Sequence, residues 1–135
     1  MKHLSIGFLA LALTQLTACK ETDSLKNDVT NEKMKDTLNK LYPSLRQGQI
    51  GIQVKDFQDV SITLGDKELY AKTNEELAAM STNIGELVYQ MYHENNYLGE
   101  GKLTIVEAEN KMPTDADPKK EFDLHLKDVV KAHEK

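Results

Sequence analysis

The sequence predicts an α+β domain, with a four-stranded antiparallel sheet, two main helices on one of its faces and the order α-β-β-α-β-β. Apolar residues recur at helical spacing in two segments and alternate with polar residues in four others. The 135 residues, 39% of them hydrophobic and 29% charged, are enough for one ordinary globular domain. We place this domain at residues 31–135.

Two segments have the periodicity of amphipathic helices. The first runs from Asn31 to Tyr42, and the second runs from Asn74 to about Asn95. Thr73 and Glu76 predict a capping box at the start of the second helix, because their side chains can each bond the other's free backbone N–H. Gly85 lies inside this helix at a cost of about 1 kcal/mol relative to alanine. Close packing against a strand would be a reason for that glycine.

Four segments alternate with the period of a strand, so one side of each is apolar and the other is polar. The apolar sets are Ile50, Ile52 and Val54; Val60, Ile62 and Leu64; Leu103 and Ile105; and Phe122, Leu124 and Leu126. The polar face that results carries Gln53, Lys55, Ser61, Thr63, Thr104, Asp123 and His125. This face is polar enough to meet solvent or a partner. A short helical tail is expected from Val129 to Lys135.

Residues 1–18 have the organisation of a secretory signal peptide. Lys2 precedes an apolar run from Leu4 to Leu13, which is too short to span a membrane and fits the hydrophobic region of such a peptide. The run ends in Leu16-Thr17-Ala18-Cys19, which resembles the lipobox of bacterial lipoproteins.

The resemblance implies that the Cys19 sulfur receives a diacylglycerol, that a peptidase cuts before Cys19, and that the new amine is often acylated as well. Cys19 would then be the lipidation site and the first residue of the mature chain. The alternatives are an ordinary signal peptide, with Cys19 merely near the cleavage site, or a buried N-terminal helix. A lone cysteine in a secreted chain calls for an explanation, and acylation is one.

Residues 19–30 are expected to form the lipidated N-terminus and a polar tether. Alternatively, Leu25 and Val29, four residues apart, begin the first helix early. In enterobacterial lipoproteins an aspartate after the cysteine retains the protein in the inner membrane, whereas Lys20 stands here. The resemblance therefore points to the outer membrane of a two-membrane cell. A cell with one membrane would carry the protein on its outer face, and display on the cell surface is also possible.

The sequence predicts no catalytic, cofactor or metal site. His93-Glu94 begins like a zinc protease motif, but Tyr97 stands where the second histidine is needed. Asp115 and Asp117 lack the spacing of a calcium loop, because Pro118 and a lysine follow.

The tyrosines near the end of the second predicted helix leave two readings open. Tyr92 is expected in the core, while Tyr89 and Tyr97 form either an exposed contact patch or aromatic packing under a loop.

The net charge of −5 speaks against a nucleic-acid partner. The leading hypothesis is a membrane-anchored envelope lipoprotein, a non-enzymatic accessory module that holds the membrane through lipid on Cys19 and binds an envelope protein. One alternative is an inhibitor or self-protection lipoprotein against an envelope hydrolase or toxin. The other is a small cell-wall hydrolase that uses carboxylates such as Glu94, Glu100 or Asp123.

Overall fold

A computed structural model describes residues 25–108, 114 and 116–134 of the chain. The helices are α1 (residues 25–41), α2 (Lys67–Tyr70), α3 (Asn74–Tyr92) and α4 (Leu126–His133). The strands are β1 (Ile50–Lys55), β2 (Asp59–Gly65), β3 (Gly101–Val106) and β4 (Lys119–Asp123), and a 3-10 turn at Gln47–Gln49 precedes β1. The fold is α+β. The short α2 is added to the predicted order of elements, and α4 begins three residues before the predicted helical tail.

The four strands form one sheet in the order β1-β2-β3-β4. The pairs β1–β2 and β3–β4 are antiparallel, whereas β2 and β3 are parallel. The predicted purely antiparallel sheet is therefore wrong. A helical connection, α2 and α3, separates β2 from β3, and such a crossover returns the chain to the end of the sheet where β2 began.

The fourth strand ends earlier than its alternating pattern predicts. It ends at Asp123, and His125 has a backbone φ of 52°, in the left-handed region, at the N-terminus of α4. His125 is therefore not an outward residue of a strand. Leu126 is buried as the first residue of α4 and not as the last residue of β4.

Helix α1 already covers residues 25–30, which the sequence pattern assigns to the tether. Asn27 in this stretch is 6% exposed, and its side chain exchanges hydrogen bonds of 3.1 and 2.9 Å with Asn96. These bonds fix the start of α1 to the loop that follows α3. The helix therefore begins early, as in the alternative in which Leu25 and Val29 are part of it. Residues 1–24, including Cys19, lie outside the described residues.

One apolar core joins the helices to the sheet. The capping box predicted at the start of α3 is present, with Thr73 Oγ accepting from the Glu76 N–H at 3.2 Å. Side chains buried in the core come from α1, α3 and three strands, among them Met34, Leu38, Leu77, Ile84, Val88, Tyr92, Ile50, Ile62, Leu64, Leu103 and Ile105.

No helix within the described ranges is both long enough and apolar enough to cross a bilayer.

Candidate functional site

The outward side chains of the four strands form the face of the sheet opposite the core, here called the polar sheet face. One row across it consists of Gln53, Ser61, Lys102 and Asp123, which are successive register partners. Neighbouring strands lie about 4.8 Å apart, so this row spans roughly 15 Å. The sheet thus holds four polar side chains from four strands in a line.

An open depression of about 480 Å³ lies on this face, at the end of the sheet that carries the β1–β2 turn. The polar and charged residues that line it are Gln53, Lys55, Asp59, Ser61, Glu100, Lys102, Glu121 and Asp123. Six of the seven outward residues expected from the alternation lie on the polar sheet face. His125 is the exception, because it follows the end of β4 and has a left-handed backbone conformation.

Ion pairs and a hydrogen bond connect the residues in one part of the depression. Lys102 Nζ lies 3.7 Å from Glu121 Oε1 across the β3–β4 pair. At the rim, Asp59 Oδ1 accepts a 3.0 Å hydrogen bond from the Glu100 N–H, and Lys127 Nζ lies 2.8 Å from Glu100 Oε1. The hydrogen bond to Glu100, and then its negative charge, raise the pKa of Lys127. Helix α4 is therefore tied to the rim through Lys127.

The other part of the depression has polar groups that are not used within the fold. Gln53, Lys55 and Ser61 make no side-chain hydrogen bond or ion pair with any other residue that the structure describes. They offer an amide, an ammonium and a hydroxyl side by side at the β1–β2 edge of the depression. Such groups can bond an incoming molecule without breaking an internal contact.

Several residues of this site were missed from the sequence. Lys102 and Glu121 follow the same alternation as the outward residues that were found, so the period-two pattern was a sufficient signal for them. Asp59 follows it as well, since it is two residues before Ser61 and pairs with Lys55. Lys127 gave no such signal, and Glu100 was named only as a possible hydrolase carboxylate, because this helix and this loop meet only in the folded chain.

The three carboxylates named for a hydrolase do not come together. Glu100 and Asp123 line the depression, whereas Glu94 lines a groove between α1 and the end of α3. The side chains of Glu100 and Asp123 are 68% and 56% exposed. Glu100 is also paired with Lys127, so these two carboxylates are largely in water, unlike a carboxyl acid whose pKa is raised by an apolar pocket.

Two histidines lie together in another place, on the ring of one tyrosine. Tyr89 is half-buried and stacks between the rings of His93 and His133, at centroid distances of 4.5 and 4.1 Å. His133 also lies 2.9 Å from Glu86 Oε2. Tyr89 therefore packs beneath α4, while Tyr97 is 87% exposed on the loop after α3. Tyr92 is in the core, as predicted.

Asp117 accepts hydrogen bonds from the N–H and hydroxyl of Thr114, which closes a turn, and Asp115 lies outside the described residues. Across the described ranges, no group of three or more histidine, cysteine, aspartate or glutamate side chains could hold a metal ion.

Comparison with protein families, with curated proteins and with solved structures found no match to this chain.

Proposed function

We propose that this chain is a bacterial envelope lipoprotein whose domain is a non-enzymatic module that binds a protein partner through the polar sheet face. The observation that carries the binding surface is the set of uncommitted groups on Gln53, Lys55 and Ser61, which lie together in the depression. The lipobox resemblance at Leu16–Cys19 supports the membrane attachment.

The charges of the depression indicate what the partner surface is like. Lys55, Lys102 and Lys127 stand near Asp59, Glu100, Glu121 and Asp123, so the positive and negative groups almost balance. A protein surface that presents both signs matches such a pattern better than a polyanion does, because complementary charges fix the register of an interface.

A photocrosslinking amino acid at Ser61 tests the binding surface in intact envelopes. We expect one discrete crosslinked adduct from this position and none from the same amino acid at Lys40, which is exposed on α1 away from the depression. Adding Lys55→Glu should weaken the Ser61 adduct, because it reverses an unpaired charge, whereas Lys40→Glu should not. Adducts that are equal at Ser61 and Lys40, or absent at both, would contradict the proposed surface.

The lipid on Cys19 has its own test. Radiolabelled palmitate should enter the wild-type protein and not the Cys19→Ser variant. Thr17→Ser, which keeps a small residue in the lipobox, should still be labelled. Label in Cys19→Ser, or an unmodified thiol at the start of the mature protein in mass spectrometry, would refute lipidation.

The position of Lys20 supports attachment to the outer membrane of a two-membrane cell. In an enterobacterial host, the wild-type protein should fractionate with the outer membrane and Lys20→Asp with the inner membrane. Lys26→Asp, which makes the same charge change inside α1, should follow the wild type. The proposal fails if Lys20→Asp leaves the distribution unchanged.

A role as an inhibitor or self-protection protein is the second candidate, and the net charge of −5 favours it, since an acidic protein is steered to a basic target. Association with such a target should become slower as salt is raised. Association that does not depend on salt would argue for the accessory module instead.

A further inference from the structure

Exposed apolar side chains gather at one end of the domain. The large hydrophobic residues that are more than half exposed within the described part of the chain are Leu25, Val29, Leu41 and Tyr97. Leu25 and Val29 are 62% and 58% exposed on the first turns of α1. Tyr97 follows Asn96, whose side chain bonds the buried Asn27 on the other side of the same turns, so all three lie around the N-terminal end of α1. Leu41 is at the other end of α1, about 24 Å along the helix axis.

The same end carries a groove of about 600 Å³ between the start of α1 and the last turns of α3. Leu25, Val29 and Met91 line it with apolar side chains, and Lys33 and Glu94 contribute charged side chains. An aromatic ring, aliphatic side chains and lysines are the residue types that settle at the boundary between lipid and water.

The length of the chain before α1 indicates what covers this end. From Cys19 to Leu25 the backbone can extend by no more than about 22 Å, because each residue adds at most about 3.6 Å. A lipid on the Cys19 sulfur, which the proposed function requires, would therefore keep Leu25 close to the bilayer surface. Leu41, at the far end of α1, can stand well away from it.

We infer that Leu25, Val29 and Tyr97 form a membrane-resting surface, through which the lipid-anchored domain lies on the bilayer in one fixed orientation. This inference rests on the proposed lipidation of Cys19. The apolar contact, and not charge, holds the surface down, so zwitterionic lipid is sufficient. The polar depression opens on the opposite face of the sheet but at the same end, beside the β1–β2 turn, which bonds the loop that carries Tyr97. A partner bound there would be close to the membrane.

The test uses the lipidated mature protein, which begins at Cys19, in phosphatidylcholine vesicles. Lipidation consumes the only native cysteine, so one introduced cysteine can be labelled with an environment-sensitive fluorophore at Val29, Tyr97 or Leu41 in turn. We expect a blue shift and quenching by spin-labelled lipids at positions 29 and 97, and neither effect at position 41. The double change Leu25→Ser and Val29→Ser should abolish the quenching at position 97, whereas Leu41→Ser should leave it intact.

The outcomes separate this inference from the proposed function. If the protein floats with the vesicles but positions 29, 97 and 41 are quenched alike or not at all, lipidation stands and the membrane-resting surface is refuted. A blue shift at 29 and 97 without lipid quenching assigns the surface to a protein contact and also refutes the inference. If the wild-type protein does not float, the lipid anchor itself is refuted.

Discussion

Gly85 lies where α3 comes closest to the backbone that follows β4. An ideal Cβ at this position would be 2.5 Å from the carbonyl oxygen of Leu124, a backbone atom that cannot rotate away. Nearby, the Ser81 hydroxyl donates a 2.8 Å hydrogen bond to the Asp123 carbonyl, so helix and chain are in direct contact. The close packing expected for this glycine is therefore present, although its partner is the residue after β4 and not a strand residue.

We expect Gly85→Ala to lower the free energy of unfolding by about 1–3 kcal/mol, as overpacking does, although alanine is the better helix former by about 1 kcal/mol. Urea unfolding would measure the change. Gly48→Ala is the matched control, because nothing lies within 4 Å of its added Cβ. A Gly85→Ala protein as stable as the wild type would show that α3 can move away from Leu124.

Tyr92 couples stability to alkaline pH. Its side chain is 1% exposed, its hydroxyl donates a 2.6 Å hydrogen bond to Asn31 Oδ1, and burial raises its pKa above the ordinary tyrosine value of 10.0. The pKa of Tyr92 is higher in the folded than in the unfolded state. The stabilisation of the folded state that follows from this difference is therefore complete below pH 10 and is lost as the pH rises further. The loss approaches about 1.4 kcal/mol for each pH unit.

Tyr92→Phe should therefore reduce the fall in unfolding free energy between pH 9 and pH 11, while it costs about 1 kcal/mol at pH 7 through the lost hydrogen bond. Urea unfolding at a series of pH values measures both effects. Tyr97→Phe, on an exposed side chain, should change neither. An alkaline slope that is the same in Tyr92→Phe and in the wild type would assign the slope to other groups, among which Tyr42 also has a pKa raised by burial.

At the scale of elements, we expect the buried amide pair of Asn27 and Asn96 to stabilise the first turns of α1. Asn27→Ala should cost about 1–3 kcal/mol, because it leaves the Asn96 side-chain oxygen buried without its donor. Hydrogen exchange should become faster over residues 25–33, whereas α3 should remain protected. Asp28→Ala, on an exposed side chain of the same turn, should leave the exchange unchanged. Equal protection in the wild type and Asn27→Ala would mean that apolar packing alone fixes this end.

The elements themselves were largely predictable, because each depends on a local pattern. The capping box of Thr73 and Glu76 marks the start of α3, and alternation marks β1, β2 and β3. Strand direction was not predictable in this way, since a period of two reports which side is buried and is the same for parallel and antiparallel pairs. The early start of α1 depends on Asn27 and Asn96, which are 69 residues apart in the chain.

For the whole molecule, the polar sheet face followed from alternation, but the depression did not. Its rim needs the loop at Glu100 and the helix at Lys127 to meet, and this contact is set by the tertiary fold. His125 was misplaced because the chain leaves the strand at Asp123 through a left-handed residue. The outward side of a single strand can thus be inferred from the residues of that strand. A cavity that is lined by several elements cannot be inferred in this way.

The charge of the whole chain yields a final prediction about attachment. A net charge of −5 gives the protein no electrostatic attraction to anionic head groups, so the proposed membrane attachment would have to come from lipid and apolar contacts. One acyl chain binds only marginally, whereas the two or three chains that a lipoprotein cysteine carries hold a protein firmly. Salt screens charges but does not weaken this apolar term.

Washing membranes with about 1 M salt, where charges are screened within about 3 Å, should therefore leave the wild-type protein in the membrane pellet. A Cys19→Ser protein produced without residues 1–18 should be soluble at low and at high salt, because Leu25, Val29 and Tyr97 expose too little apolar surface to replace the acyl chains. Sedimentation followed by immunoblotting measures both. Release of the wild type by salt alone would mean that it is held by charge, through a partner, and not by a lipid.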